Sequence, residues 1–267
     1  MQDIRKKTHL TRIKAQKLHI DFKKIFRYNH FMQTALYLIP CPMGETPNEN
    51  VLPAYNLEIV KKIRHFIVES RKSAVRFLIS LDKTFPIDDC TFTELSEHTN
   101  QNEDLSKILI PLEKGESMGV ISDAGCPCIG DPGSRAVELA QKKNLPVVPL
   151  VGPNSMIMAL MASGFNGQNF CFSGYLPAKN GERESKIKQL ESKAWKENQT
   201  QLFIETPYRN QKMLESLLKT CKNETKLCVA SGITTKDESI KTKTIASWKK
   251  EKAGIKNKIP TIFLIYK

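Results

Sequence analysis

A chain of 267 residues with 40% hydrophobic and 26% charged residues can bury two cores, and its composition is not that of a disordered chain. It has no apolar run near the roughly 18 residues that span a bilayer, so no membrane partner is expected, and its basic N-terminus lacks the apolar segment of a secretory signal. Seven cysteines without a disulfide-type framework point to reduced thiols and a cytoplasmic setting.

The net charge is +13, of which the stretch before Met32 carries +7 (nine Lys/Arg against Asp3 and Asp21) and the rest +6. A basic body suits a polyanion such as RNA; a solvated lysine-rich surface is the competing reading. Residues 1–33 read as a basic N-terminal extension, either an RNA-contacting arm or upstream sequence brought in by a misplaced start. The second is preferred, because the fold needs nothing before Met32.

From Thr34 the pattern alternates strand and helix. "TALYLIP" is a buried strand, followed by the loop "CPMGETPNENVLPAYN". Asn56 is positioned to cap a helix whose apolar face is Leu57, Val60 and Ile63, with Ile59. "HFIVE" is a strand, "RKSAVRFLISL" a helix and "CTFTELS" a strand. "EDLSKILIPLEKG" predicts an amphipathic helix ending at Gly115. "GVISD" is a strand, "PGSRAVELAQKKN" a helix and "LPVVPLVG" a strand, and this β/α alternation implies a parallel sheet covered by helices.

A boundary near Val151–Pro153 divides a domain of residues 34–150 from one of residues 151–267. In the second, "NSMIMALMASG" is a helix capped by Asn154 or Ser155, "NFCFSGYLP" a strand, "GERESKIKQLESKAWKEN" a helix and "TQLFIET" a strand. "PYRNQKMLESLLKTC" is a helix opened by Pro207. "TKLCVASGIT", a looser "SIKTKTIASW" and "TIFLIYK" complete a mixed sheet.

Two loops are rich in residues that fix backbone: "PCPMGETP" after the first strand and "SDAGCPCIGDPG" after "GVI". In open α/β sheets ligands bind where strands end. Such loops would present main-chain N–H and C=O groups to an adenosine or a carboxylate; an elaborate turn without ligand is the alternative. Neither a Walker motif nor G-x-G-x-x-G is present. Asp123 and Asp131 are candidates to cap backbone, bind an amine or act as base. Cys126 and Cys128 have no matching Cys/His pair at finger-like spacing, so no metal is expected. His65 and His98 stand alone, whereas Glu69 ends a strand and "TPYR" (206–209) opens a helix.

Taken together, "LYLIPCPMGE", "SDAGCPCIGDPGSR", "VVPLVGPNSMIMALMASG", "GYLPAK", "FIETPYR" and "PTIFLIYK" resemble the tetrapyrrole methylase-like (class III) S-adenosylmethionine-dependent methyltransferases, over about residues 35–267. The nearest branch is the one that 2′-O-methylates a cytidine of small-subunit ribosomal RNA. The resemblance implies an α/β fold of two domains with the cofactor, S-adenosyl-L-methionine, in the cleft between them, and a homodimer. Carried over by position, it implies cofactor contacts from Pro40, Met43 and Gly44, from Ser122, Asp123, Ala124, Gly125, Pro127 and Asp131, and from Pro153 and Ser155. Tyr175, Leu176, Thr206 and Tyr208 would close over the cofactor.

The chain departs from the branch at "VESRKS", where "EDTR" is usual, at "EHTN" (His98 and Asn100), at Cys126, and at Glu45, where the family shows Asn. These departures cluster where substrate should sit. If the acceptor is a ribose hydroxyl, a base must take its proton. Glu69 is assigned that role, with Lys72 or Arg71 holding a phosphate of ribosomal RNA. Methylation of a tetrapyrrole or other small molecule, and binding of cofactor or RNA without transfer, are the rival functions.

Overall fold

Apolar strands of four residues, buried on both faces, are what a parallel sheet requires, and "MGVI" is buried at every position. The computed structural model describes residues 32–96, 105–251, 254–255 and 258–267; the basic extension up to residue 31, His98 and Asn100 lie outside them. Residues 34–267 form one compact unit, and no helix among the described residues is long and apolar enough to cross a membrane.

The first half runs β1 (Leu36–Ile39), α1 (Asn48–Val51), α2 (Ala54–Val60), β2 (His65–Val68), α3 (Arg71–Leu81), β3 (Thr91–Glu94), α4 (Ile110–Glu113), β4 (Met118–Ile121), α5 (Ser134–Lys142) and β5 (Val147–Pro149). Its sheet has the order β3-β2-β4-β1-β5 and is parallel throughout, with Leu36 facing Met118 on one side and Val147 on the other. Leu36, Ile67 and Val120 pack against Leu109, Leu112, Ala136 and Ala140. Helix α3 begins at Arg71 because Ser70 accepts a hydrogen bond from the Ser73 amide at 3.4 Å, an N-cap that Asp would also provide.

The second half runs α6 (Ser155–Ser163), β6 (Phe170–Tyr175), α7 (Asn180–Lys196), β7 (Thr200–Ile204), α8 (Asn210–Thr220), β8 (Lys226–Ser231), β9 (Ser239–Thr244), α9 (Ile245–Lys250) and β10 (Thr261–Tyr266). The sheet order is β6-β7-β10-β8-β9; β6 and β7 are parallel and the other pairs antiparallel. One face packs Phe203 and Phe263, their rings stacked 5.9 Å apart, beneath Ile187, Leu190, Leu217 and Trp248. The other face receives Ala159 and Leu160 of α6 against Leu202, Ala230 and Leu264.

Three sequence expectations are corrected. Asn56 is not a cap: Pro53 precedes the helix, and Asn56 is buried within it, its amide donating to the Val151 carbonyl at 2.8 Å. The long helix over 103–115 is reduced to Ile110–Glu113, since Pro111 has no N–H to continue an earlier turn and its ring crowds the preceding carbonyls; residues 103 and 104 lie outside the described ones. "IASW" is helical rather than extended, because Thr244 caps α9 by accepting from the Ser247 amide at 3.2 Å.

Candidate active site

The C-terminal ends of β1 and β4 are neighbours in the parallel sheet, so their loops meet. Cys41 and Gly125 exchange both backbone hydrogen bonds, at 2.9 and 3.1 Å. Gly125 has φ 72°, a left-handed conformation that glycine adopts without penalty. A Cβ there would also sit 3.3 Å from the Pro153 carbonyl and 3.7 Å from Met43 Sδ. Ser122 is buried and donates to the carbonyls of Ala124 and Gly125, which holds the second loop's turn from within.

The first loop also reaches the second sheet. Gly44 approaches the turn after β8 so closely that a Cβ would lie 2.7 Å from Thr235 Cγ2, and Thr46 Oγ1 donates to the Thr234 carbonyl at 2.5 Å. Between these loops and the ends of β8 and β10 lies a cavity of about 340 Å³, within the size range of small-molecule sites. Met43, Gly44, Ala124, Gly125 and Ser155 line it from one side; Ala230, Gly232, Ile233, Lys236, Asp237 and the segment from Lys258 to Ile262 line it from the other. Asn154, also lining it, accepts from the Met156 and Ile157 amides at 3.1 Å and so opens α6 at the cavity wall.

Of the residues expected around a cofactor, five therefore share one cavity. Pro40 instead packs on the linker: a Cβ at Gly152 would be 2.2 Å from its ring. Pro127 is buried, Asp131 accepts from the Gly133 amide at 2.7 Å and steers the chain into α5, and the Pro153 carbonyl accepts from the Cys126 thiol at 3.3 Å. Leu176 lies in the second core. Thr206 and Glu205 gather around Arg209, while Tyr175 and Tyr208 are exposed. Tyr208 approaches the cavity through Lys258, whose ammonium is 6.0 Å from its ring centre.

A second space, a groove of about 450 Å³, opens on the other side of the first loop, lined by Gly44, Glu45, Asn48, Ser73, Arg76, Ser122 and Asp123 among others. Gly44 and Glu45 border both spaces. Glu69 lines neither; its carboxylate accepts the Asp123 amide at 3.2 Å. Lys72 is exposed on α3 and lines neither. Arg71 lies over the Phe92 ring at 5.6 Å, its amide donating to Glu94 at 2.9 Å. His65 sits at the opposite, N-terminal end of β2, between Thr91 and Glu116 at 2.7 Å each.

The thiols near the loops are held protonated. Burial, with Asp123 adding to it, pushes the Cys41 thiol far up, and burial with Asp131 raises Cys128 to about 12. Burial also raises Cys126. The cavity residues that the sequence did not bring forward are those after β8 and before β10. Their signal was present in the polar turn "SGITT", with Gly232 at φ 59°, and in Pro260 just ahead of the last strand.

A parallel and a mixed sheet clasping one cavity form the fold of a known class of methyltransferases. The structure is similar to a uroporphyrin-III-C-methyltransferase from Thermus thermophilus (TM-score 0.51, 13% identity, 88% of this chain and 94% of that one) and to the methyltransferase CobJ (TM-score 0.50, 16% identity, 82% and 89%). The family model for tetrapyrrole (corrin/porphyrin) methylases matches residues 56–248, and the chain belongs to that family. Relatives include the ribosomal RNA small subunit methyltransferase I of Buchnera aphidicola subsp. Schizaphis graminum, 31% identical over 81% of this chain and 72% of the relative. That of Vibrio cholerae is 32% identical over 77% and 67%.

Proposed function

We propose that this protein is an S-adenosyl-L-methionine-dependent methyltransferase that 2′-O-methylates a ribose of small-subunit ribosomal RNA. The observation that carries the reading is the pairing of a cavity with an adjoining groove, both bordered by Gly44 and Glu45: one space for a small donor, one for part of a large acceptor. The names of the relatives support ribosomal RNA as that acceptor, and the body's charge of about +6 beyond Met32 suits it.

The cavity fits the donor by size and by its mixed lining, apolar at Met43, Ile129 and Ile233 and charged at Lys236 and Asp237. The cofactor supplies a methyl group on a positively charged sulfur with a neutral leaving group, so the protein's contribution is alignment. Met43, Gly44, Ala124, Gly125 and Ser155 hold it from the parallel-sheet side, and the turn after β8 with Pro260 and Thr261 from the other. The Cys41–Gly125 bridge and the Thr46–Thr234 tie keep these walls in register, so that backbone dipoles need no rearrangement on binding. Glu69 keeps Asp123 at the groove's edge through its amide.

Two further features belong to the same reading. Val151, Ile157 and Met161 are exposed, the last two one turn apart on α6, apolar side chains suited to covering by a second copy of the chain in a homodimer. The seven cysteines are all unpaired, which suits the cytoplasm.

Labelled S-adenosyl-L-methionine, incubated with the protein and either small ribosomal subunits or a small-molecule extract, tests the reading. Label in RNA that resists alkali and digests to a 2′-O-methyl nucleoside is expected. Label in small molecules, or cofactor bound but never transferred, would overturn it.

A further inference from the structure

The acceptor hydroxyl must lie where donor cavity and acceptor groove touch, and a base must stand there to receive its proton. Glu45 is the carboxylate that borders both spaces; Glu49 and Asp123 line the groove alone. Glu45 is held in place by its neighbours. Gly44 is pressed against Thr235, and Thr46 is bonded to the Thr234 carbonyl, with its own amide donating to the Gly44 carbonyl at 2.9 Å. The Glu45 side chain is exposed and makes no hydrogen bond or ion pair among the described residues, whereas the Glu69 carboxylate binds the Asp123 amide.

The groove holds one cation among its described lining residues, Arg76, on the turn of α3 after Ser73. Its guanidinium matches a phosphate oxygen pair. Lys72 and Arg71 do not line the groove.

We infer that Glu45 is the general base for the acceptor hydroxyl and that Arg76 holds a neighbouring phosphate, an inference that rests on the functional reading above. As the acceptor oxygen forms its bond to the methyl carbon, the carbon–sulfur bond breaks with its electron pair left on sulfur, and the hydroxyl proton passes to the Glu45 carboxylate. Sulfur loses its positive charge and Glu45 its negative charge, so the count of atoms and electrons closes.

Three variants test this on the full chain with small ribosomal subunits, each also titrated calorimetrically with S-adenosyl-L-methionine alone. Glu45→Gln should lower kcat about 100-fold or more while cofactor Kd stays within about threefold. Arg76→Ala should raise KM for the subunit roughly tenfold or more with cofactor Kd unchanged. Asp237→Asn probes a groove of about 380 Å³ that meets the cavity at Lys236, Asp237 and Ile259 instead. Loss of turnover in Asp237→Asn but not in Glu45→Gln overturns the inference. So does a Glu45→Gln protein that turns over normally, or one whose defect is matched by lost cofactor affinity. Wild-type protein that labels no RNA overturns the functional reading, and the base with it, and is seen in the control arm before any variant is compared.

Discussion

Cys41 and Gly125 exchange two backbone hydrogen bonds, at 2.9 and 3.1 Å, between the ends of two adjacent parallel strands. That bridge needs Gly125 at φ 72°, beside the Pro153 carbonyl. Gly125→Ala should cost about 1–2 kcal/mol for the left-handed backbone. It should also weaken S-adenosyl-L-methionine binding at least tenfold, as read by calorimetry. Gly130→Ala is the control: its φ is 81°, but nothing lies within 4 Å of the new methyl. It should lose similar stability and keep its cofactor affinity.

Thr46→Val removes the hydroxyl that ties the first loop to the Thr234 carbonyl. The shape is kept, so the melting temperature should fall only slightly. Cofactor affinity should fall several-fold, because the two walls of the cavity then move independently. Equal affinity for wild type and variant would show that the tie is incidental.

Asn154→Ala removes the cap of α6, leaving the Met156 and Ile157 amides without their acceptor. A loss of about 1 kcal/mol is expected, a fall of roughly 2–4 °C in melting temperature for a protein of this size. Asn154→Asp or Asn154→Ser should restore most of it.

Asn56→Leu leaves the Val151 carbonyl without the amide that reaches it from α2. The Asn56 side chain is buried, so the loss should be about 1–3 kcal/mol, larger than for the half-buried cap at Asn154. Denaturant unfolding measures it.

Cys41, Cys128 and Cys221 are all raised above the ordinary thiol value of 9.0, chiefly by burial. A raised folded-state value favours the protonated thiol in the native state. Its stabilising contribution is complete below the unfolded thiol's value and is lost as pH rises above it. Stability should therefore decline on the alkaline side from about pH 8.5–9, and these thiols should react with a disulfide reagent only on unfolding. Fast reaction of Cys41 in the native protein would contradict this.

The strands and most helices were legible because each carries its own periodicity and punctuation. "RKSAVRFLISL" is α3 residue for residue, and "NSMIMALMASG" is α6, its cap narrowed by sequence to Asn154 or Ser155 and settled by the structure as Asn154, with Gly164 left-handed at its end. Where local signals compete, the outcome was not legible. Asn56 is a good capping residue by type, yet it is drawn inside the fold to satisfy a carbonyl 95 residues away. "IASW" has β-type side chains but follows Thr244, which caps a helix.

The sequence by itself determined the two α/β halves, the loops with fixed backbone at the strand ends, and the family, since these rest on local chemistry and the order of segments. Only the tertiary structure decided which of those residues share a space. Met43, Gly125 and Ser155 meet the turn after β8 and the start of β10 across the cavity, and Glu45 stands between cavity and groove while Glu69 turns to a backbone amide. Positions far apart along the chain become neighbours only through strand order and the packing of one sheet against another, and neither is written in the spacing of residues along the chain.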